Sequence, residues 1–300
     1  MAEMSTHRLF FSAMASPCEV CLAAHGRFSA QALAKIAVDE VCRIEAKYSR
    51  YRPDSVVSTI NAQAGQQWLE CDDETLLLLD HADALFEHSG GLFDVTSGVL
   101  RHAWNFDQAQ LPQADVLEDL CALVNWPSVQ RDGRHLRLPL AGMELDFGGF
   151  GKEYAADRAA EALLTQGIRH GYINLAGDVR VMGPRPDGQP WTIGVRDPRT
   201  PDRLLASIAL AAGSVATSGD YERYFELDAR RYCHILDPQS GQPVACWRSV
   251  SVFSASAMEA GGLATIAMLM QEKALAFLEE ENVLFLAVDH AGKQYGKNTR

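Results

Sequence analysis

The chain has 300 residues, 47% of them apolar, and its 27 basic and 39 acidic side chains give a formal net charge of −12. This length corresponds to one large domain or two closely joined ones. The acidic balance argues against a protein that binds nucleic acid through clustered Lys and Arg, and it gives no support for binding to an anionic membrane surface.

The N-terminal segment and the cysteines predict a cytoplasmic protein without a membrane span. Residues 9–15 form an apolar run that serine interrupts and no basic segment precedes, and no window of 18 uninterrupted apolar residues follows. Cys18 and Cys21 have the spacing of a redox or zinc site, but they lie in an alternating, strand-like run without a second pair. We therefore expect structural, reduced thiols.

Hydrophobic periodicity predicts two helices in the first third of the chain, over residues 30–48 and 73–88. A polar turn, residues 49–55, follows the first helix, and Gly90 and Gly91 end the second. Residues 107–119 are polar and weakly periodic, so they predict a loop or a short surface helix.

The remainder of the chain mixes strands and helices. Helices are predicted over residues 153–166, 257–271 and 272–280. Strands are predicted over residues 135–140, 143–147, 171–175, 179–182, 191–196, 205–210, 214–217, 231–236, 249–254 and 283–288. Because these elements do not alternate as βαβ units, the pattern favours the α+β class. We expect a single domain over residues 1–300 whose mixed, mainly antiparallel sheet carries packed helices.

The segment Asp146-Phe-Gly-Gly-Phe-Gly-Lys-Glu-Tyr-Ala-Ala-Asp157 is the first candidate site. A strand is predicted to enter it and a helix to leave it, so that free N–H groups and the positive end of the helix dipole would face a phosphate. Lys152 adds a cation. The alternative is a tight connection that needs glycine only for its shape. The spacing matches neither the Walker loop nor GxGxxG.

Three further turn-rich segments and one histidine are candidates. The segments are residues 90–98, 174–178 and 215–223, and each alone is compatible with ordinary turn chemistry. Thr217 and Ser218 carry hydroxyls that would need a base nearby. His234 could be that base, although a histidine on a strand is more often structural.

Taken together and in this order, these segments resemble the ApbE family of FAD:protein FMN transferases. The resemblance rests on residues 14–20, 48–55 with 60–61, 91–96, 145–157, 173–178, 191–196, 217–225, 234–241 and 263–265. It covers residues 10–290, and the ordered series of motifs is far more specific than any one of them.

The resemblance implies an enzyme that cleaves the pyrophosphate of FAD with the help of Mg²⁺. FMN would be joined by a phosphoester to a Ser or Thr of an acceptor flavoprotein, and AMP would be released. His234 would take the proton of the acceptor hydroxyl. The Gly149 carbonyl and the Thr265 hydroxyl would bind the metal. The FAD-binding residues would be Met14, Tyr51, Leu92, Phe93, Asp94, Asp146, Lys152, Thr217, Ser218, Gly219 and Leu236.

One departure from the family pattern concerns the metal, because the family has a metal-binding Asp four residues before the threonine, where this chain has Gly261. A smaller departure is Glu153, at a position where glycine is common. Mg²⁺ prefers carboxylate oxygen. Glu259 could not simply substitute, because two residues correspond to about 200° around a helix. The sequence predicts that Gly261→Asp would strengthen a weakened metal site.

Three functions remain open on the sequence alone. The first is FMN transfer to an acceptor protein. The second is an FAD-binding protein whose transferase activity is weak or lost, and the residue that favours it is Gly261. The third is a pyrophosphatase that converts FAD to FMN and AMP with water as the acceptor.

Overall fold

An eight-stranded antiparallel sheet forms the centre of the structure, a computed structural model that describes residues 4–200 and 202–296. The strands of the whole structure, in chain order, are β1 (Ser5–Ala13), β2 (Ser16–Ala24), β3 (Leu69–Glu70), β4 (Gln130–Asp132), β5 (His135–Arg137), β6 (Gly171–Leu175), β7 (Asp178–Gly183), β8 (Trp191–Arg196), β9 (Leu204–Leu210), β10 (Gly213–Gly219), β11 (Tyr224–Leu227), β12 (Arg230–Cys233), β13 (Trp247–Ser254), β14 (Leu284–Asp289) and β15 (Gln294–Gly296). The central sheet has the order β1-β2-β6-β7-β10-β13-β14-β15. The pairs β8-β9 and β11-β12 and the trio β3-β5-β4 form three smaller sheets.

Helices pack on the central sheet and on one another. They are α1 (Arg27–Tyr48), α2 (Val56–Ala62), α3 (Asp73–His88), α4 (Ala114–Cys121), α5 (Gly151–Thr165), α6 (Ala257–Met270) and α7 (Ala274–Glu280). Helix α6 packs on β10 and β13, and α5 packs on α1 and α6. The predicted α+β class, with helices on a mainly antiparallel sheet, is thereby confirmed.

The sequence of each helix explains its position. Helix α3 begins at Asp72, whose side chain accepts a hydrogen bond from the Thr75 N–H at 2.9 Å, and its buried residues lie on one side. Helix α6 is apolar all round, because ten of its fourteen residues are buried between the sheet and other helices.

The strand predicted over residues 143–147 is wrong, since the structure has no regular strand there. At Leu145, in the middle of this segment, a side chain takes the place of a partner strand. The amide of Asn61 accepts from the Leu145 N–H at 2.6 Å and donates to the Leu145 carbonyl at 3.0 Å. Asn61 therefore holds the segment that leads into the glycine turn.

The polar segment over residues 107–119 contains the start of helix α4, which confirms the surface-helix alternative. Other elements differ from the prediction. The strands predicted over residues 135–140 and 231–236 end at Arg137 and Cys233. Strand β1, the short helix α2 and the short strands β3, β4, β11 and β15 were not predicted. Helix α2 begins immediately after the polar turn, where the Ser55 hydroxyl accepts from the Ser58 N–H.

The cysteines are free thiols, as predicted. Cys18 and Cys21 lie on β2 three residues apart, which places them on opposite faces of the sheet and in different apolar clusters. The two sulfur atoms therefore do not form a redox or zinc pair. Among the helices of the described residues, none has the length and apolar character that a membrane span requires.

Candidate functional site

One large cleft collects the residues that the sequence analysis selected. Its volume is about 1530 Å³, whereas single small-molecule sites have about 300–1,000 Å³. All fourteen predicted site residues line it: Met14, Tyr51, Leu92, Phe93, Asp94, Asp146, Gly149, Lys152, Thr217, Ser218, Gly219, His234, Leu236 and Thr265. The cleft is large enough for a dinucleotide and for part of a second molecule.

The glycine turn forms one wall of this cleft, between the extended segment held by Asn61 and helix α5. Its glycines are needed for close approach and not for a left-handed backbone, because none of Gly148, Gly149 and Gly151 has a positive φ angle. A Cβ atom at Gly149 would lie 2.6 Å from the Phe93 ring. The glycine at this position therefore lets the backbone pack directly on Phe93.

Asp146, at the start of the glycine turn, is fixed by two partners. Its carboxylate forms an ion pair with Arg50 and accepts a hydrogen bond from the Gly148 N–H at 2.9 Å. Arg50 also donates to the Tyr51 hydroxyl at 2.9 Å, and its guanidinium lies over the Tyr51 ring. These contacts connect the polar turn after α1 to the glycine turn.

Asp94 lines the cleft, but its carboxylate organises the surrounding backbone. One oxygen accepts from the N–H and the hydroxyl of Thr96, at 2.7 and 2.6 Å, and the other accepts from the Trp126 N–H at 3.0 Å. Asp94 is 7% exposed. Its side chain thus holds the segment that presents Leu92 and Phe93, and its predicted contact with FAD stays a prediction.

Lys152 and Asp178 form an ion pair across the cleft wall, between α5 and β7. The other Asp178 oxygen accepts from the Thr217 N–H at 3.0 Å, which joins β7 to β10. Burial lowers the pKa of Lys152, but the negative charge of Asp178, and then of Glu153, outweighs burial, so the pKa is raised. Lys152 is therefore a cation at neutral pH.

Ser218 and Thr265 meet at the junction of β10 and α6, where their hydroxyl oxygens are 2.7 Å apart. Gly261 precedes Thr265 by one helical turn, so both residues lie on the same face of α6. A Cβ atom at Gly261 would lie 2.6 Å from Cγ and 2.7 Å from Oε1 of Glu153. The carboxyl group of Glu153 thus fills the space that a side chain at position 261 would take.

Glu153 is a buried acid in the first turn of α5. Its Oε2 atom has no hydrogen-bond partner in the described part of the chain. Burial, and then the charge of Asp178, raise the pKa of Glu153 above its usual range. Glu259, by contrast, is exposed and contacts the Ser254 hydroxyl, and it does not line the cleft.

His234 follows β12 and projects into the cleft. The His234 ring is exposed to the interior of the cleft and is surrounded by the cleft walls. The backbone N–H of His234 donates to the Arg223 carbonyl at 3.0 Å. Burial between the cleft walls lowers the pKa of His234, because it removes water from the charged imidazolium. The positive charges of Arg223, Lys152 and Arg50 lower this pKa further. The imidazole is therefore neutral near pH 7 and able to accept a proton.

Sequence reasoning missed several charged residues of the cleft, among them Arg50, Glu153, Asp178, Arg196 and Arg223. Asp178 and the arginines lie inside the motifs of the predicted site, so their position was a usable signal. The proximity of Glu153 to Gly261 had no signal in the sequence, because 108 positions separate them and the packing of α5 on α6 brings them together.

The donor set for a metal is limited in the described residues. No group of three or more His, Cys, Asp or Glu side chains lies close enough to hold an ion there. A cation in this cleft would therefore need hydroxyl or backbone carbonyl oxygens beside one or two carboxylates. Thr265, Ser218 and the Gly149 carbonyl are oxygen donors of this kind.

A family model described as the ApbE family matches residues 14–286, nearly the whole chain. The chain belongs to the ApbE family. This ApbE chain is 31% identical over 261 residues to the FAD:protein FMN transferase of Vibrio cholerae, with 84% of the chain and 78% of the relative covered. It is 34% identical over 249 residues to the FAD:protein FMN transferase of Klebsiella pneumoniae, with 80% and 76% covered.

Solved ApbE structures share the fold. The crystal structure of the ApbE protein from Thermotoga maritima matches with a TM-score of 0.91 and 31% identity, over 98% of both chains. The apo form of the flavinyl transferase ApbE from Pseudomonas stutzeri matches with a TM-score of 0.88 and 28% identity, over 98% of this chain and 95% of that one. The resemblance seen in the sequence motifs is confirmed.

Proposed function

We propose that this ApbE chain transfers FMN from FAD to a Ser or Thr hydroxyl of an acceptor flavoprotein and releases AMP. The observation that carries the proposal is the cleft itself, in which a neutral His234 shares one space with the glycine turn and with Lys152. The ApbE relatives named as FMN transferases support it. The proposal includes a single domain over residues 1–300 and a cytoplasmic location.

The reaction is a phosphoryl transfer. The acceptor oxygen forms a bond to the phosphorus of the FMN half, and the bond from that phosphorus to the bridging oxygen breaks, so that AMP leaves with the electron pair. His234 takes the proton of the acceptor hydroxyl. In such transfers the protein contributes chiefly by positioning the groups and by stabilising the charge that develops.

The charges of the cleft favour a role for a divalent cation. Among the described residues, six basic and six acidic side chains line the cleft. These side chains alone therefore do not neutralise the negative charge of a pyrophosphate. We propose that Mg²⁺ binds beside the Thr265 hydroxyl and the Gly149 carbonyl, since hard oxygen donors suit it. The unpartnered Oε2 of buried Glu153 supports a cation here. When bound, Mg²⁺ would neutralise charge on the phosphates.

FAD would lie along the residues that line the cleft. We propose that the flavin half contacts Met14, Tyr51, Leu92, Phe93 and Leu236, which are among the apolar residues that line the cleft. The phosphates would face Asp146's partner Arg50 and the cation Lys152. Thr217, Ser218, Gly219 and Asp94 would complete the nucleotide site.

The test is a mixture of the protein, FAD, Mg²⁺ and a candidate acceptor flavoprotein, separated on a denaturing gel and viewed by flavin fluorescence. A fluorescent acceptor band is the expected result. Free FMN and AMP without a band would instead establish a pyrophosphatase, and intact FAD without any product would establish a binding protein. Omission of Mg²⁺ in a parallel sample, with a chelator present, tests the metal.

A further inference from the structure

Glu153 is a buried carboxylate that the described structure leaves half satisfied. It is 7% exposed, it lines the cleft, and its Oε2 atom has no hydrogen-bond partner among the described residues. The nearby cation Lys152 is engaged by Asp178. The side chain that interacts with Glu153 is a second buried acid, Asp178, and Lys152 is the cation beside this pair. Two buried acids beside one cation are unfavourable when both are ionised, so a positive charge from outside the chain would stabilise the pair.

The surroundings of Glu153 are rich in oxygen. Its Oε1 atom lies against Gly261 on α6, one turn before Thr265 on the same face. The Thr265 hydroxyl lies 2.7 Å from that of Ser218. Carboxylate and hydroxyl oxygens without nitrogen or sulfur donors are typical of a site for a hard divalent cation such as Mg²⁺ or Mn²⁺.

We propose that Glu153, projecting from α5, is the carboxylate ligand of a divalent cation held together with Thr265 on α6. The inference rests on the proposed function for its cation. Gly261 belongs to the same proposed site, because a side chain at position 261 would occupy the volume of the Glu153 carboxyl group. The acidic oxygen reaches the metal from a different helix than the family pattern predicts.

This exchange of positions links the two departures found in the sequence. Glutamate at 153 and glycine at 261 are complementary, since a Cβ atom at 261 would lie within 2.6–2.8 Å of three Glu153 side-chain atoms. Gly261→Asp alone would force two carboxyl groups together in a buried space. The prediction that this single substitution strengthens the metal site is therefore replaced by the opposite one.

The experiment measures binding of Mn²⁺ alone to the full chain, by the loss of the free-ion signal in electron paramagnetic resonance, without FAD or acceptor. Wild type is expected to bind one tightly held ion. Glu153→Gln keeps the size of the side chain and is expected to weaken binding at least about 10- to 100-fold, since loss of outer-shell partners alone has that effect. Glu259→Gln, an exposed carboxylate on the same helix as Gly261, is the matched control and should bind as wild type.

Reciprocal variants at positions 153 and 261 test the same metal site if one variant folds poorly. Glu153→Gly is expected to lose Mn²⁺ binding, and Glu153→Gly/Gly261→Asp is expected to recover it. Gly261→Asp alone is expected to unfold at a lower temperature than wild type and to gain no affinity. Thermal unfolding with and without Mg²⁺ provides a second measure, because a ligand that binds the folded state raises its stability.

Two results would overturn the proposal: Mn²⁺ binding by Glu153→Gln at wild-type affinity, or no Mn²⁺ binding by wild type. Both results come from Mn²⁺ binding alone, so neither depends on whether the chain transfers FMN. A chain that binds Mn²⁺ through Glu153 but transfers no FMN would contradict the proposed function and leave this inference supported.

Discussion

His234 is the residue on which the chemistry depends most directly. It lies where the strand β12 ends, in a cleft whose walls and cations disfavour its protonated form. A base with a lowered pKa is ready to accept a proton at neutral pH without first losing one. The contrast with Asp94 is instructive, because Asp94 lines the same cleft but its oxygens are all engaged by the backbone and by Thr96.

Replacing His234 tests its role as the base. His234→Ala is expected to lower the rate of FMN transfer by about 10²–10⁴-fold, the usual contribution of a general base. FAD affinity, measured by quenching of flavin fluorescence, should change little. Leu236→Ala is a useful comparison, since it should weaken FAD binding more than it lowers the transfer rate. Full activity of His234→Ala would assign the proton transfer to another group.

The pH dependence of transfer follows from the lowered pKa of His234. Because the imidazole is neutral to lower pH than usual, kcat/KM for FAD is expected to stay constant on acidification and to fall only below the ordinary histidine value of about 6.5. Arg223→Gln removes one of the positive charges and should move this acidic limb toward higher pH. A limb above 6.5 in the wild type would contradict the account.

At the scale of elements, the site is assembled from turns that neighbouring elements hold in place. Asn61, at the end of α2, binds both backbone groups of Leu145 and so stands in for a strand. The glycine turn follows directly and packs on Phe93 through Gly149. Helix α5 then carries Lys152 and Glu153 to α6 and β7.

Removal of the Asn61 amide should loosen this support. Asn61→Ala leaves the N–H and the carbonyl of the buried Leu145 unpaired, which typically costs about 1–3 kcal/mol in the free energy of unfolding. Urea unfolding measures this cost, and FAD affinity should fall in parallel. Gln66→Ala, which removes an exposed amide just beyond the end of α2, should stay within about 0.5 kcal/mol of wild type. Equal stability of both variants would mean that the turn is held by other contacts.

The sequence predicted most elements, and the exceptions have physical causes. Helix α3 has capped ends and a regular apolar stripe, and its predicted and observed bounds coincide. The segment over residues 143–147 has the alternation of a strand, but its partner is a side chain that lies 84 positions away from Leu145. Such a partner has no local signature.

The site was predictable where motifs carried it and not where packing created it. All fourteen predicted residues line the cleft, because each lies in or beside a motif. The position of Glu153 against Gly261 depends on the packing of α5 on α6, which no local pattern encodes. The sequence also could not show which face of α6 meets the cleft, because this helix is apolar all round and has no apolar stripe.

At the scale of the whole molecule, an acidic chain surrounds a cleft of balanced charge. The net charge of −12 contrasts with six basic and six acidic side chains that line the cleft in the described residues. An anionic dinucleotide would therefore be repelled by the surface as a whole and accepted locally, with a cation completing the balance. The size of the cleft leaves room for the acceptor segment beside FAD.

The most direct test of the central claim is the ratio of products in a single reaction with FAD, Mg²⁺ and an acceptor flavoprotein. Mass spectrometry measures the acceptor, and chromatography measures AMP and free FMN. The account predicts one AMP released for each acceptor that gains one FMN, and no adduct on an acceptor whose modified Ser or Thr is replaced by Ala. AMP accompanied by an equal amount of free FMN, with an unmodified acceptor, would contradict it.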